Sequence, residues 1–244
     1  MEKYYLFYFL AFVAEVIGTL SGFGSSILFV PLASYFFDVK EVLGITGMFH
    51  VFSNLAKIFL FHKHLDKNIL LKLGIPAIVF VIIGALLSKY IPTHYLEIFV
   101  CFTLCFIAIL LLIYSDKGIE INNRNLVSSG IFSGFFAGII GSGGAIRGLA
   151  LTSLQLEKSI LISTSAFIDL GVDISRTIVY LFNGYMNKES YLILPGLIVI
   201  AIIGSYIGKR LLVYLSQSNF RKLVLIIILS TTILQLYKLL FEAK

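Results

Sequence analysis

The segment "GIIGSGGAIRGLALTSL", from Gly138 to Leu154, interrupts an apolar run with five glycines and one arginine, Arg147. Glycine permits a turn inside a membrane helix and lets a ligand approach the backbone. Backbone polar groups exposed at membrane depth cost several kcal/mol each unless they are buried in protein or line a cavity. The segment therefore predicts a broken helix with a binding cavity beside it.

The composition around this segment is that of a membrane protein. Of 244 residues, 59% are hydrophobic and 13% charged, with a mean hydropathy of +0.98, whereas soluble domains carry about 25% charged residues. Several apolar runs approach the ~20 residues that cross a bilayer. We expect an integral protein of the cell (plasma or inner) membrane. The chain has a net charge of +6, and its Lys and Arg residues lie mostly between the runs. There they influence topology and contact lipid head groups rather than nucleic acid.

The apolar runs form two series with the same order of lengths. The runs are 4–37, 42–61, 69–88 and 95–114, then 126–156, 160–182, 190–208 and 220–241. An offset of 119–120 residues places "GFGSSI" on "GSGGAI" and "IIGALLSK" on "IIGSYIGK". This internal repeat predicts a first transmembrane repeat at 1–114, a polar linker at 115–125 and a second transmembrane repeat at 126–244.

The first run of each series is too long for one crossing. Residues 4–37 span 34 positions, about 50 Å as a straight helix, against a hydrocarbon core of ~30 Å. A glycine cluster near the middle of each long run favours a hairpin of two shorter helices. Three further crossings then invert one half relative to the other. We expect an all-α polytopic fold of two inverted repeats, each a glycine-broken helical hairpin followed by three transmembrane helices.

The two glycine clusters are candidate anion sites. A helix that restarts after a break points its N–H groups and a partial positive charge into the break, and arginine adds planar donors that suit oxyanions. Two alternatives stay open: the glycines could serve close helix packing, which we favour for Gly18, Gly134 and Gly138, and Arg147 could pair with an aspartate. The expected substrate-binding residues are Gly22, Gly24, Ser25, Ser26, Gly141, Ser142, Gly143, Gly144 and Arg147.

A polar stripe recurs on one helix of each half. Residues spaced four and three apart share a helix face, which groups His50, Asn54 and Lys57 in the first half and Asp169, Asp173 and Arg176 in the second. Proton coupling, structural ion pairing and direct substrate contact all remain open for this stripe. Glu15 is a lone carboxylate within an apolar run, and Lys57 is its expected partner.

Motifs for nucleotide binding, zinc binding and Ser-His-Asp catalysis are absent from the sequence. We therefore expect no catalytic residues, no metal and no cofactor, and the protein is not expected to be an enzyme. Cys101 and Cys105 are read as packing residues.

The glycine cluster with the following proline in "GFGSSILFVP", and its second copy "GSGGAIRGLA", resemble the TauE/SafE family of sulfite and organosulfonate exporters over residues 4–241. The resemblance implies a secondary transporter that exports a small sulfur-containing or carboxylate anion, driven by protons or by the membrane potential. The chain departs from the family pattern at Ser25, Ser26, Ala150 and Arg147, which leaves the substrate open.

Two other functions fit the same features: an anion channel, and a membrane assembly component without transport. The expected partners are a small anionic substrate and membrane lipid, with no nucleic acid. The oligomeric state stays open, a homodimer included.

Overall fold

The computed structural model describes residues 2–21, 24–61, 65–114, 122–152 and 158–212, with positions 226, 229, 230, 232, 233, 236, 237 and 240. All regular structure in these parts is helical, which confirms the predicted helical class. Gly22, most of the predicted linker and most of the last apolar run lie outside the described residues.

The helices follow the two series of apolar runs. The first half contains α1 (Glu2–Ser21), α2 (Ser26–Ala33), α3 (Val39–Phe61), α4 (Lys67–Ser88) and α5 (Thr93–Tyr114). The second contains α6 (Asn123–Ile140), α7 (Gly144–Thr152), α8 (Lys158–Phe182) and α9 (Lys188–Leu211). By length and composition, four helices of the described chain could cross a membrane: α3, α4, α5 and α9. Although α8 has 25 residues, it carries the charged stripe and is not among them.

Both long apolar runs are broken at glycine. Gly24, between α1 and α2, has a φ of 78°, and Gly141, after α6, has a φ of 73°. This left-handed region favours glycine because it has no Cβ. The predicted breaks are therefore confirmed. With 8 and 9 residues, α2 and α7 are about 12–14 Å long, less than half of the ~30 Å hydrocarbon core.

After each break the chain packs back on the helix that precedes it, as α2 does on α1 and α7 on α6. Only glycine fits at the contacts. A Cβ on Gly18 would overlap the backbone of Ser25, and one on Gly143 would overlap the carbonyl oxygen of Ser133. Close backbone approach through small residues is common between membrane helices.

Three helix pairs build the body around the breaks: α3 with α8, α1 with α9, and α4 with α6. In the last pair, glycines four residues apart on α6 face backbone carbonyls four residues apart on α4. Gly130, Gly134 and Gly138 lie against Leu73, Ala77 and Val81. The predicted packing role of Gly134 and Gly138 is confirmed.

Large apolar side chains also cover the exterior. Phe182 is 88% exposed and Phe59 81%, and many other large apolar side chains are exposed as well. The surface of a water-soluble protein exposes far fewer such side chains together. The buried aromatic core, with Phe7, Phe29 and Phe49, packs α1 and α2 against α3. The polar stripes of α3 and α8 are thereby placed inside the helix assembly and beside the two breaks.

Candidate functional site

The two breaks meet in the centre of the molecule. Ser26 Oγ, at the start of α2, donates to Ser142 Oγ, just before α7, over 3.4 Å. The Cα of Gly144 lies 3.9 Å from where a Cβ on Gly24 would stand. Two helix N-termini, each with a partial positive charge, therefore converge on one point.

A cavity of about 30 Å³ lies at this point, with room for about two water molecules. Its wall combines residues of both breaks and of both stripes. The lining residues are Gly24, Ser25, Ser26, His50, Asn54, Lys57, Ala137, Gly141, Gly143, Gly144, Arg147, Asp169, Asp173 and Arg176. Apart from Ala137, each was singled out from the sequence. Ser142 is buried beside the cavity without lining it.

Arg147 forms an ion pair with Asp169 through its Nη2 atom and the Oδ1 atom of the aspartate. The arginine is only 4% exposed. Its Nε and Nη1 atoms have no hydrogen-bond partner among the described residues. A guanidinium has five N–H donors, so Arg147, which lines the cavity, retains unused donors. The predicted aspartate pairing exists, and it leaves part of the arginine open.

Asp173 and Arg176 form a second, more completely bonded pair. Arg176 Nε donates to Asp173 Oδ1 over 2.7 Å, and Asn54 Nδ2 donates to Asp173 Oδ2 over 2.7 Å. Arg176 Nη1 also donates to the carbonyl oxygen of Gly141 over 2.7 Å. Ion pairing, one of the three roles left open for the stripe, is therefore shown for these two residues. The pair also anchors the end of α6 at its break.

His50 links this pair to the first break. Its Nδ1 atom lies 3.3 Å from Arg176 Nη2, and its Nε2 atom lies 2.8 Å from Ser25 Oγ. Because a guanidinium donates and cannot accept, Nδ1 is the acceptor and the neutral imidazole carries its proton on Nε2. Ser25 then accepts from His50 and donates its own hydrogen to Glu15 Oε2 over 2.7 Å. In this arrangement the hydroxyl hydrogen of Ser25 is already in use.

Glu15 is fully buried and surrounded by donors. Lys57 Nζ lies 3.0 Å from its Oε1 atom, so the predicted partner is confirmed. Ser53 and Ser205 donate to the same oxygen over 2.6 and 2.8 Å. Sequence reasoning missed both serines. Ser53 lies four residues before Lys57 and could have been found from that spacing, whereas no pattern connects Ser205 to Glu15.

The central charges balance. Glu15 pairs with Lys57, and the two aspartates pair with Arg147 and Arg176. An unpaired charge in this environment is strongly unfavourable. Within the described parts of the chain, no three histidine, cysteine or acidic side chains are grouped as a metal site would require. The arrangement suits electrostatic and hydrogen-bonded capture of a small oxyanion.

The sequence is similar to a known protein family and to a curated membrane protein. The family model described as "Sulfite exporter TauE/SafE" matches residues 7–234. A probable membrane transporter protein of Methanocaldococcus jannaschii is 26% identical over 220 residues, and the alignment covers 81% of each chain.

Proposed function

The chain belongs to the sulfite exporter TauE/SafE family, and on this premise we propose that it is a secondary transporter, not an enzyme, that exports a small oxyanion across the cell membrane. The family description names sulfite, and the archaeal relative is described as a membrane transporter. The substrate class is a sulfur-containing or carboxylate anion.

The open donors of Arg147 are the observation that carries this proposal. Arg147 is a nearly buried residue of the cavity wall, and its Nε and Nη1 atoms lack partners among the described residues. Desolvated, unsatisfied donors are costly unless a ligand uses them. The substrate oxygens accept from Arg147. They also accept from the amides of Gly143 and Gly144, where α7 begins, with Ser26 and Ser142 beside them.

The two halves act as inverted repeats that rock about this site. At the offset of the repeat, α1, α3 and α4 correspond to α6, α8 and α9. The contacts support this arrangement because they obey the same correspondence: α1 packs on α9 and α6 packs on α4, while α3 packs on α8. Inverted repeats that meet at broken helices allow alternating access around one fixed site. The small size of the central cavity favours a carrier that closes around its substrate rather than a permanently open pore.

The membrane potential drives export. The paired carboxylates and cations of the site sum to zero, so a bound anion adds net negative charge. A potential of 100 mV, negative inside, is worth about 2.3 kcal/mol per elementary charge and pushes an anion outward.

A thermal-shift panel on purified protein tests the proposal. The ligands are sulfite, sulfoacetate, taurine, thiosulfate and short carboxylates, because a ligand at 100 times its Kd stabilises the folded state by about 2.7 kcal/mol. We expect at least one anion to raise the melting temperature of the wild type and not of Arg147→Ala. Arg124→Ala removes an exposed arginine at the start of α6 and should respond as the wild type does. Equal stabilisation of Arg147→Ala would remove this residue from the site.

A further inference from the structure

We propose that Asp169 is a tethered counter-anion, whose carboxylate neutralises Arg147 in the empty site and is displaced from it when a substrate oxyanion binds. The inference rests on the proposed function and identifies what competes with the substrate. It also defines the substrate group: an oxyanion head that takes the place of one carboxylate on Arg147.

The Arg147–Asp169 pair is incompletely bonded. The pair joins Nη2 to Oδ1, and the other described contacts of Arg147 leave Nε and Nη1 unpartnered. Arg176 differs, because its Nε, Nη1 and Nη2 atoms all have partners. Of these two pairs at the cavity, the one with Asp169 is therefore the one that can be exchanged.

Asp169 is also more exposed and less hydrogen-bonded than the other central carboxylates. Its side chain is 15% exposed, against 8% for Asp173 and none for Glu15. Its Oδ2 atom accepts one described hydrogen bond, from Ser165 Oγ at 3.2 Å, whereas Asp173 is held by both Asn54 and Arg176. Asp169 is thus the least restrained of the three central carboxylates.

A second cavity offers space into which the Asp169 side chain can turn. Asp169 lines the central cavity and also a second cavity of about 30 Å³, whose wall includes Ser165 and Lys57. A turn of the Asp169 side chain toward Ser165 would carry its charge into the second cavity and keep it near a cation. The space and the donors that it leaves at Arg147 are those that an oxyanion head requires.

The exchange gives the empty transporter a closed, neutral site. An arginine left without a counter-charge inside the protein would be strongly unfavourable, and Asp169 removes that cost whenever the substrate is absent. The same contact lowers the apparent affinity, because a ligand binds only the fraction of molecules in which Arg147 is free.

The test is titration calorimetry with sodium sulfite and with sodium acetate on the purified full-length chain. Asp169→Asn removes the competing charge and is expected to lower the Kd by about tenfold or more, which corresponds to a paired fraction of 90% or above. Asp169→Ser is a second neutral variant, should asparagine disturb the helix. Asp169→Glu keeps a carboxylate and should stay near the wild type.

Two controls separate competition from a general charge effect. Asp38→Asn changes the net charge by the same amount on an exposed loop residue and should leave the Kd unchanged. In the Arg147→Ala background, Asp169→Asn should give no gain in affinity, because the two effects are coupled through one contact. Flux in proteoliposomes should fall in Asp169→Asn despite tighter binding, since the empty protein then returns with an unpaired arginine.

Each possible result of the titrations either supports or overturns the inference. Tighter binding by the neutral variants, or binding that becomes measurable only in them, supports the inference. An unchanged Kd in Asp169→Asn and Asp169→Ser, with weakened binding in Arg147→Ala, overturns the counter-anion and leaves the proposed function standing. A lack of binding by the wild type and all variants overturns the proposed function and the inference with it.

Discussion

The hydroxyl oxygen of Ser25 lies 2.8 Å from Nε2 of His50 and connects the first helix break to the stripe on α3. Beyond Ser25 the hydrogen bonds continue to Glu15, and beyond His50 they continue to Arg176 at the second break. One directional chain of hydrogen bonds thus joins the two breaks. Because each member is buried, loss of any one leaves a neighbour without its partner.

Ser25→Ala is expected to destabilise the protein by about 1–3 kcal/mol, the cost of leaving buried partners unsatisfied. It removes the acceptor of His50 and a donor to Glu15 together. The adjacent variant Ser26→Ala loses a single long contact with Ser142 and should have a smaller effect. Melting temperatures in detergent without ligand compare the two, and equal losses would argue against the directional chain.

Glu15→Ala is expected to cost about 3–5 kcal/mol, as removal of one partner of a buried ion pair does. Lys57 would lose its counter-charge, and Ser53 and Ser205 would lose their acceptor. Glu189→Ala, in the exposed first turn of α9, is the matched control and should melt close to the wild type. The measurement is the fraction of protein that remains folded after heating, determined by size-exclusion chromatography. A Glu15→Ala protein as stable as the wild type would contradict the prediction.

Gly134→Ala is expected to lower stability by about 1–3 kcal/mol, the usual cost of overpacking. Its Cβ would overlap the carbonyl oxygen of Ala77, so α4 and α6 would have to separate. At Gly171 the same change meets only the side-chain end of Ile78, which can turn away, and alanine gains about 1 kcal/mol in helix propensity. Gly171→Ala should therefore be close to neutral; a larger loss there than at Gly134 would be inconsistent with glycine-mediated packing.

Flux of the anion should depend on the membrane potential. In proteoliposomes clamped with potassium and valinomycin, an inside-negative potential of 100 mV should favour efflux by about fiftyfold at equilibrium for one net charge. Protein-free vesicles provide the leak control. A distribution of anion that ignores the potential would show that a cation or proton moves with it.

Asp173→Asn distinguishes proton coupling from potential-driven transport. Both oxygens of Asp173 already accept hydrogen bonds from Arg176 and Asn54, so we expect the variant to retain the pH dependence of wild-type flux while it loses thermal stability. Flux measured across a pH series on both proteins provides the comparison. Loss of pH dependence in the variant, with anion binding retained, would instead identify Asp173 as the coupling group.

The helix breaks could be predicted from sequence because two constraints coincide there. As one helix, the run of 34 residues at 4–37 would be longer than the bilayer is thick. Glycine is the residue that accepts the positive φ found at Gly24 and Gly141. The polar residues of the site could be predicted for a related reason, since a charge within an apolar run requires a partner or a cavity.

The hydroxyl partners could not be predicted in the same way. Ser205 lies 190 positions from Glu15, and a serine within an apolar helix carries no signal of its own because it can bond to its own helix backbone. Tyr180, which donates to the carbonyl oxygen of Gly138 over 2.7 Å, looks in the sequence like any other aromatic core residue.

By itself the sequence determined that this is a helical membrane protein of the TauE/SafE family, with two glycine breaks and an unusual arginine after the second. Only the tertiary structure decided that Arg147 pairs with Asp169 and Arg176 with Asp173, whereas Glu15 and Lys57 pair as the sequence led us to expect. Local spacing limits which residues share a helix face. Which aspartate Arg147 pairs with depends on how α7 approaches α8, because a buried ion pair is retained only where packing brings complementary groups into direct contact.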